Sequence, residues 1–462
     1  MSITTIAQTA PGPHSRRPLR GNLPEFRHDR YNYLLQLHQE YGDVVRFQLG
    51  QRPIYLVAHP DDVLRVLGRN SSNYQKAKAY QVVAHVFGSQ SVLITEGEEW
   101  RRQRRTMNPH FKRATLNSFT NMIVESTAEM LERWKAKADS GHELNMVTEM
   151  SKLTLSVVCK ALFQIDISGE ANELGQALIT VLNHGSRRME SFLGGFLGIL
   201  DMLPTEENRQ YNAALEKLNA AIYSMIEDRR QGKNRGDLLS SLVFARDEES
   251  GTGMNDRELR DQLITLFIAG HETTANALSW TLYLLSMHPE SERRLHDEIN
   301  ETLGNRVPTE ADLDNTVYCQ YVLEEAMRLY PPVPMIARYS LENDVLGGYQ
   351  IPAGSGILLS QYVTHRHPTF WDNPEGFDPE RFAPERSEER PHFAYFPFGG
   401  GPRRCIGDNF ATLEMRLVLP MIVQKYRLQL VSGHPVRPAS MLSLRPEHGL
   451  PMIIHSRPNR FL

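Results

Sequence analysis

From about Asn255 to His288 apolar residues return at the spacing of one helical face: Leu259, Leu263, Leu266, Phe267 and Ala269, then Ala277, Leu278 and Leu282. At about 1.5 Å per residue such a helix is roughly 50 Å long, enough to cross a whole protein. Helical periodicity dominates from about Pro60 to Asp344. Before it, "VVRFQLGQRPIYLVAH" (Val44 to His59) alternates around a Gly-Gln-Arg-Pro turn and predicts a β-hairpin. After Asp344 come strands and loops, then a proline-rich irregular stretch from His367 to Pro402, a helix from about Cys405 to Tyr426 and a strand-like tail. The expected fold class is mostly α with a minor β region.

No internal repeat, low-complexity block or long polar linker interrupts the chain, so a single domain over 31–462 is expected. Residues 1–30, with four prolines between Pro11 and Pro24, predict an extended leader. No apolar run approaches the ~18 residues of a membrane span, and the N-terminus has no compact signal-peptide core, so a cytoplasmic location is expected. A net charge of -4 gives no electrostatic reason to bind nucleic acid.

Three separated cysteines, Cys159, Cys319 and Cys405, make no disulfide framework. Cys159 in "LTLSVVCKALF" and Cys319 in "TVYCQYVLEE" fall in apolar helical patterns and are expected to be buried and inert. Cys405 is different: it ends the stretch "FPFGGGPRRCIG". Zinc is disfavoured there, because no second cysteine or histidine lies at ligand spacing and His392 is thirteen residues away. A covalent nucleophile needs a histidine base that the sequence does not place. A haem thiolate suits the design: Gly399, Gly400 and Gly401 allow close approach to a flat ligand, and a following helix N-terminus favours an anionic sulfur. A buried cysteine after a flexible turn is the bland alternative. This window alone leaves these readings open.

"FGGGPRRCIG" resembles the cysteine-ligand loop of the cytochrome P450 family, with Phe398, Gly399, Gly401, Arg403, Cys405 and Gly407 on the family pattern. The resemblance implies the P450 fold with a haem b between the long central helix and the cysteine loop. It makes Cys405 the axial ligand, whose electron donation favours O–O cleavage. Phe398 would pack beside it and Arg403 would pair with a haem propionate. Other family segments follow in the family's order. "FIAGHETTANALSW" resembles the oxygen-binding segment, in which Ala269 and Gly270 leave room beside the porphyrin and Glu272 and Thr273 form the acid–alcohol pair that delivers protons for O–O cleavage. The bland reading is that Thr273 and Thr274 bond back to carbonyls one turn earlier and that Gly270 serves helix packing. "EEAMRLYPP" carries Glu325 and Arg328, three apart on one face, and resembles the family's Glu-x-x-Arg; "FDPERF" supplies Arg381 as the third member of a buried structural triad. "EEWRRQRR" resembles the family's Trp-x-x-x-Arg, and its Trp100 and Arg104, with Arg338 of "VPMIARYS", are the implied propionate partners.

By the same analogy the substrate pocket is lined by Val82, Val83 and Phe87 of the 80–95 segment, by Phe267, by Val333, Met335 and Ile336, and by Met441 and Leu442. All are apolar, which points to a hydrophobic small molecule of fatty acid, terpenoid, steroid or polyketide type. The glycine-interrupted segment "ESFLGGFLGILDML" (190–203) is expected to be a mobile lid rather than a core helix end. Residues 406–462 are too few for a fused flavin reductase, so electrons are expected from a separate ferredoxin or flavodoxin. Arg101, Arg102, Arg105, Lys112, Arg113 and Arg404 would dock this acidic carrier. The expected function is O2-dependent hydroxylation or epoxidation by a monooxygenase. A peroxide-driven peroxygenase or isomerase is the enzymatic alternative, disfavoured by Glu272 and Thr273, and a gas or redox sensor is the non-catalytic one.

Overall fold

The computed structural model describes residues 9–14, 19–76, 80, 84–166, 175–177, 180–181, 205–439 and 443–457. The 190–203 segment and Val82, Val83, Met441 and Leu442 lie outside them. The helices that matter here are α1 (Arg30–Tyr41), α2 (Gly97–Met107), α3 (Met146–Phe163), α4 (Glu206–Arg230), α5 (Asp256–Met287), α6 (Val317–Leu329) and α7 (Asp408–Lys425). The strands are β1 (Val44–Leu49), β2 (Arg52–Val57), β3 (Tyr74–Lys76), β4 (Glu143–Asn145), β5 (Ile336–Ser340), β6 (Asp344–Leu346), β7 (Tyr349–Ile351), β8 (Gly356–Leu359), β9 (Tyr426–Leu430) and β10 (Pro451–Ser456). The chain divides into two compact units. One holds Met1–Ala79, Tyr321–Cys405 and Pro438–Arg445; the other holds Tyr80–Gln320, Ile406–Arg437 and Pro446–Leu462.

The first unit is organised by a sheet of order β1-β2-β8-β5-β3. The predicted hairpin forms, with Leu49 opposite Arg52 across its turn. Side chains alternate between faces with the period of two that a strand imposes. Val45, Phe47, Leu56 and Leu358 pack on one side with Leu34 and Leu37 of α1, while Val44, Tyr55, Val57, Ile357 and Leu359 pack with Phe393 and Phe396. The second group fastens the start of the cysteine loop to the sheet. Two expectations change here. Strands β3, β4 and β5 interrupt the stretch read as helical up to Asp344, so Arg338 sits on a strand. Within the leader, residues 9–14 are irregular, but Leu23–His28 form a short helix opened by Pro24 in its first turn, a position proline favours.

At the edge of this sheet Asp344 gathers hydrogen bonds from Arg65, Asn70 and the Tyr74 hydroxyl, the last at 2.6 Å. Burial by itself would raise its pKa, but these donors overcome that and bring it down to about 2. A depressed carboxyl stabilises the fold above its unfolded value near 4 and loses that contribution as pH falls toward 2. Asp344→Asn is therefore expected to lower the melting temperature at neutral pH and to flatten its decline between about pH 4 and 2, as read by melts across that range.

In the second unit α5 is the central rod. Asn255 and Glu258 form a reciprocal capping box at its start, and the helix runs within a residue of its predicted limits. It is buried on most of its circumference, by Leu259, Leu263, Ile264, Phe267, Leu278, Trp280 and Leu282 among others, as befits a helix surrounded by neighbours. A small sheet of order β4-β10-β9 closes this unit. The helix read from Cys405 starts at Asp408 with Gly407 as its N-cap, so Cys405 precedes the helix and stands outside its first turn.

Candidate active site

In the first unit the cysteine loop is held at both ends. The Phe396 N–H donates to His365 Nε2 at 2.9 Å, and the His365 carbonyl accepts from Arg328 Nη1 at 3.0 Å. Burial, then the charges of Arg328 and Arg366, hold His365 at about 3, so the ring stays neutral and able to accept. Further along, the Cys405 N–H donates to the Phe398 carbonyl at 2.9 Å, closing the loop on itself. Gly401 has φ +62°, and a Cβ there would lie 1.7 Å from the Leu67 carbonyl oxygen. Gly401→Ala is therefore expected to displace the loop from Leu67 and to cost haem content and stability together, measured by pigment per chain and by thermal melts.

Cys405 is exposed, whereas burial pushes the Cys159 and Cys319 thiols up to about 12 and leaves them inert, as predicted. Of the three, only Cys405 offers an accessible sulfur. Arg403 and Phe398 are half-buried on the same loop.

The structure brings Glu325, Arg328 and Arg381 together. Arg328 donates to Glu325 at 2.6 and 2.8 Å and to the carbonyls of His365, Pro374 and Gly376, so all five of its N–H groups are used. Arg381 Nε lies 3.3 Å from Glu325 Oε1, and the Glu325–Arg328 pair is wholly buried. Arg338 is buried on β5 between Ile357 and Lys76. Of the pocket residues in this unit, Val333 is exposed, whereas Met335 and Ile336 pack partly against the cores on either side of the sheet.

In the second unit Trp100 and Arg104 are half-buried one turn apart on α2. The basic residues beside them are more committed than the sequence showed. Arg102 pairs with the buried Glu258, Arg105 with Asp247, Arg101 with Glu98 and Arg113 with Asp314. Asp247 and Glu258 have almost no exposed side chain, so Arg102 and Arg105 fix the fold rather than offer charge to a partner.

In the middle of α5 the burial relaxes. Ala269 is exposed, and Gly270, Glu272 and Thr273 are half-exposed, between the buried Phe267 and Thr274. The Thr273 hydroxyl donates to the Ala269 carbonyl at 2.7 Å, the back-bond of a mid-helix threonine, which leaves its oxygen able to accept. Gly270 does not open the same face: a Cβ there would meet Val158 Cγ2 at 3.3 Å, so its smallness lets α3 approach. Phe267 likewise points into the main core rather than toward the open patch. Phe87 is buried with Ile94, and the partly buried Tyr80, Ala84, Leu93 and Ile268 pack against that pair.

Sequence reasoning missed two groups in this unit. His271 Nε2 lies 2.8 Å from the Ser151 hydroxyl, and Thr154 donates to the His271 carbonyl at 3.0 Å, which clamps α5 to α3 beside Glu272 and Thr273. Burial lowers this histidine to about 4, so it is neutral. Asp261, Gln262 and Thr265 bind the Gln90 N–H, the Val92 N–H and the Phe87 carbonyl and pin the 87–95 segment along α5. Polar residues at i, i+1 and i+4 in an otherwise apolar run were the available signal.

Comparison with known proteins decides what this arrangement is. A family model described as Cytochrome P450 matches residues 11–451. The chain belongs to the cytochrome P450 family. It is similar to "Cyclooctatin synthase" of Streptomyces melanosporofaciens, 36% identical with 87% of each chain covered. It is also similar to "Cyclooctat-9-en-7-ol 5-monooxygenase" of the same organism, 35% identical over 92% of this chain and 90% of that one. The crystal structure of the cytochrome P450DA haem domain superposes with a TM-score of 0.87 at 27% identity, covering 98% of this chain and 99% of that one. As a P450 the protein is a haem-containing monooxygenase, an oxidoreductase that uses O2, a hydrophobic substrate and electrons from a redox partner. The residues fit a P450 haem: an accessible thiol closes a loop whose backbone approaches its neighbours as only glycine permits. Among the described residues no helix is long and apolar enough to cross a membrane.

Proposed function

We propose that this P450 uses haem b, held by Cys405, to hydroxylate or epoxidise a terpenoid-type hydrophobic molecule with electrons from a separate ferredoxin or flavodoxin. The observation that carries the oxygen-activating part is the break in α5 burial, where Ala269, Glu272 and Thr273 stand accessible together. Haem iron, when bound, supplies the site at which O2 is reduced. Arg338, Arg403, Trp100 and Arg104 would hold the propionates of a bound haem, for which a guanidinium fork is well shaped. Glu272 takes protons from solvent, and the Thr273 oxygen, kept in place by its bond to Ala269, orients them toward the reacting oxygen. Glu325, Arg328 and Arg381 act structurally, through His365, on the cysteine loop.

The substrate class rests on the apolar Phe87, Leu93, Ile94 and Ile268 group and on the two Streptomyces relatives, one of them named for oxidation of an unsaturated alcohol. A panel of terpenoids and fatty acids turned over with surrogate ferredoxin, and separately with hydrogen peroxide, tests it. Preferred turnover of fatty acids, or equal rates with peroxide alone, would contradict the reading. Thr273→Ala is expected to keep O2 consumption while product per O2 falls several-fold; unchanged coupling removes Thr273 from proton delivery. For the donor, Lys112 provides exposed positive charge, and Arg101 and Arg113 are exposed beside it within their pairs to Glu98 and Asp314. Reduction by ferredoxin should slow as salt rises from low to physiological ionic strength, and a flat salt profile would exclude charge-guided docking.

A further inference from the structure

In the first unit, among residues given no part in oxygen chemistry, three side chains converge on one point. His38 lies near the end of α1, Gly42 turns the chain with φ +92°, and Asp43 follows; His367 arrives from the turn after β8. His38 Nε2 and His367 Nε2 stand 3.0 and 2.9 Å from the same oxygen, Asp43 Oδ1, and the three ligand atoms lie within 4.8 Å of one another. The two rings are nearly buried and their centroids are 4.8 Å apart, while the Asp43 side chain is 35% exposed and open to an ion from solvent. Phe370 packs on the rings of both His367 and His59 and fixes the wall of the site. Hydrogen bonds from His367, then His38, hold the Asp43 carboxyl well below the usual carboxylate range.

We propose that His38, Asp43 and His367 form a binding site for a divalent transition metal, with zinc as the best match and water completing the coordination. Two imidazoles and one carboxylate are the donor set such borderline ions take. Ligand atoms about 2.0–2.1 Å from a tetrahedral zinc are roughly 3.3 Å from each other, so both nitrogen-to-oxygen separations are already near the bound value. Only the nitrogen-to-nitrogen distance has to close. Two rings each donating an Nε2–H to Asp43 also produce these distances, and the ion takes the place of those protons. His367 Nδ1 now accepts from the Thr369 N–H at 3.2 Å. Metal on Nε2 requires the proton on Nδ1 instead, so the Thr369 N–H gives up this bond when the ion binds.

The test uses tag-free, haem-loaded protein stripped with chelator and titrated with ZnCl2 by calorimetry, with melting temperature and the carbon monoxide difference spectrum followed in parallel. One zinc per chain at micromolar Kd, a melting temperature raised by several degrees and an unchanged spectrum are expected. His38→Gln and His367→Gln should each weaken binding at least tenfold. Absence of binding, binding retained in the double variant, or equal stabilisation by MgCl2 overturns the proposal. X-ray absorption of the wild-type zinc complex decides independently of whether the variants fold: two imidazole ligands per zinc support the site, and sulfur ligation or fewer than two imidazoles refutes it.

Discussion

Replacing Glu325 by alanine is expected to remove about 3–5 kcal/mol of stability, because Arg328 and Arg381 are left as buried charges without their carboxylate. The cost follows from geometry. Arg328 has no exposed side chain, and its five donors are divided between Glu325 and three backbone carbonyls. Losing the carboxylate strands two N–H groups and an uncompensated charge in a region that water cannot reach. A domain with a total stability of about 5–15 kcal/mol has little room for this, so Glu325→Ala should appear mostly in inclusion bodies or with its denaturation midpoint far below wild type. Because His365 links Arg328 to Phe396, the folded fraction should also lose haem. The control is Arg113→Ala, which removes a pair whose side chains are more than half exposed and should change stability by no more than ~0.5 kcal/mol. Equal, small effects of the two substitutions would show that the buried triad does not hold this unit together.

The second large effect is chemical. Cys405→Ala is expected to reduce monooxygenase turnover to background while the melting temperature of the haem-free chain changes little, since the side chain is exposed and fills no core. Cys159→Ser and Cys319→Ser should behave in the opposite way. Both place a hydroxyl at a fully buried position and are expected to cost about 1–3 kcal/mol with turnover per folded molecule retained. Turnover surviving in Cys405→Ala would move the ligand assignment elsewhere.

How far the sequence carries can be judged residue by residue. The limits of α5 were legible to within one residue because local signals agree: a capping box at Asn255 and Glu258 and sustained apolar periodicity. The hairpin of β1 and β2 was legible for the same reason, its turn and its alternation both lying inside one short window. The i, i+3 spacing of Glu325 and Arg328 made their pairing legible locally, whereas Arg381 followed only from the family motif. Contacts that join distant windows were invisible. The Asp261–Gln90 bond spans 171 residues and His367–Asp43 spans 324, and no periodicity encodes such partners. Small offsets also escaped. Gly407 caps α7 with no side chain to announce it, so the helix seemed to begin at Cys405. Gly270 looked like room for a ligand, whereas the direction of its absent Cβ, toward Val158, is a property only of the folded helix pair.

The central claim is that Cys405 provides a thiolate to haem iron. The difference spectrum of the dithionite-reduced, carbon monoxide-saturated protein tests it most directly. The red-shifted Soret band of thiolate-ligated haem, absent in Cys405→Ala, is the predicted result, and a histidine-type band in the wild-type protein would contradict it.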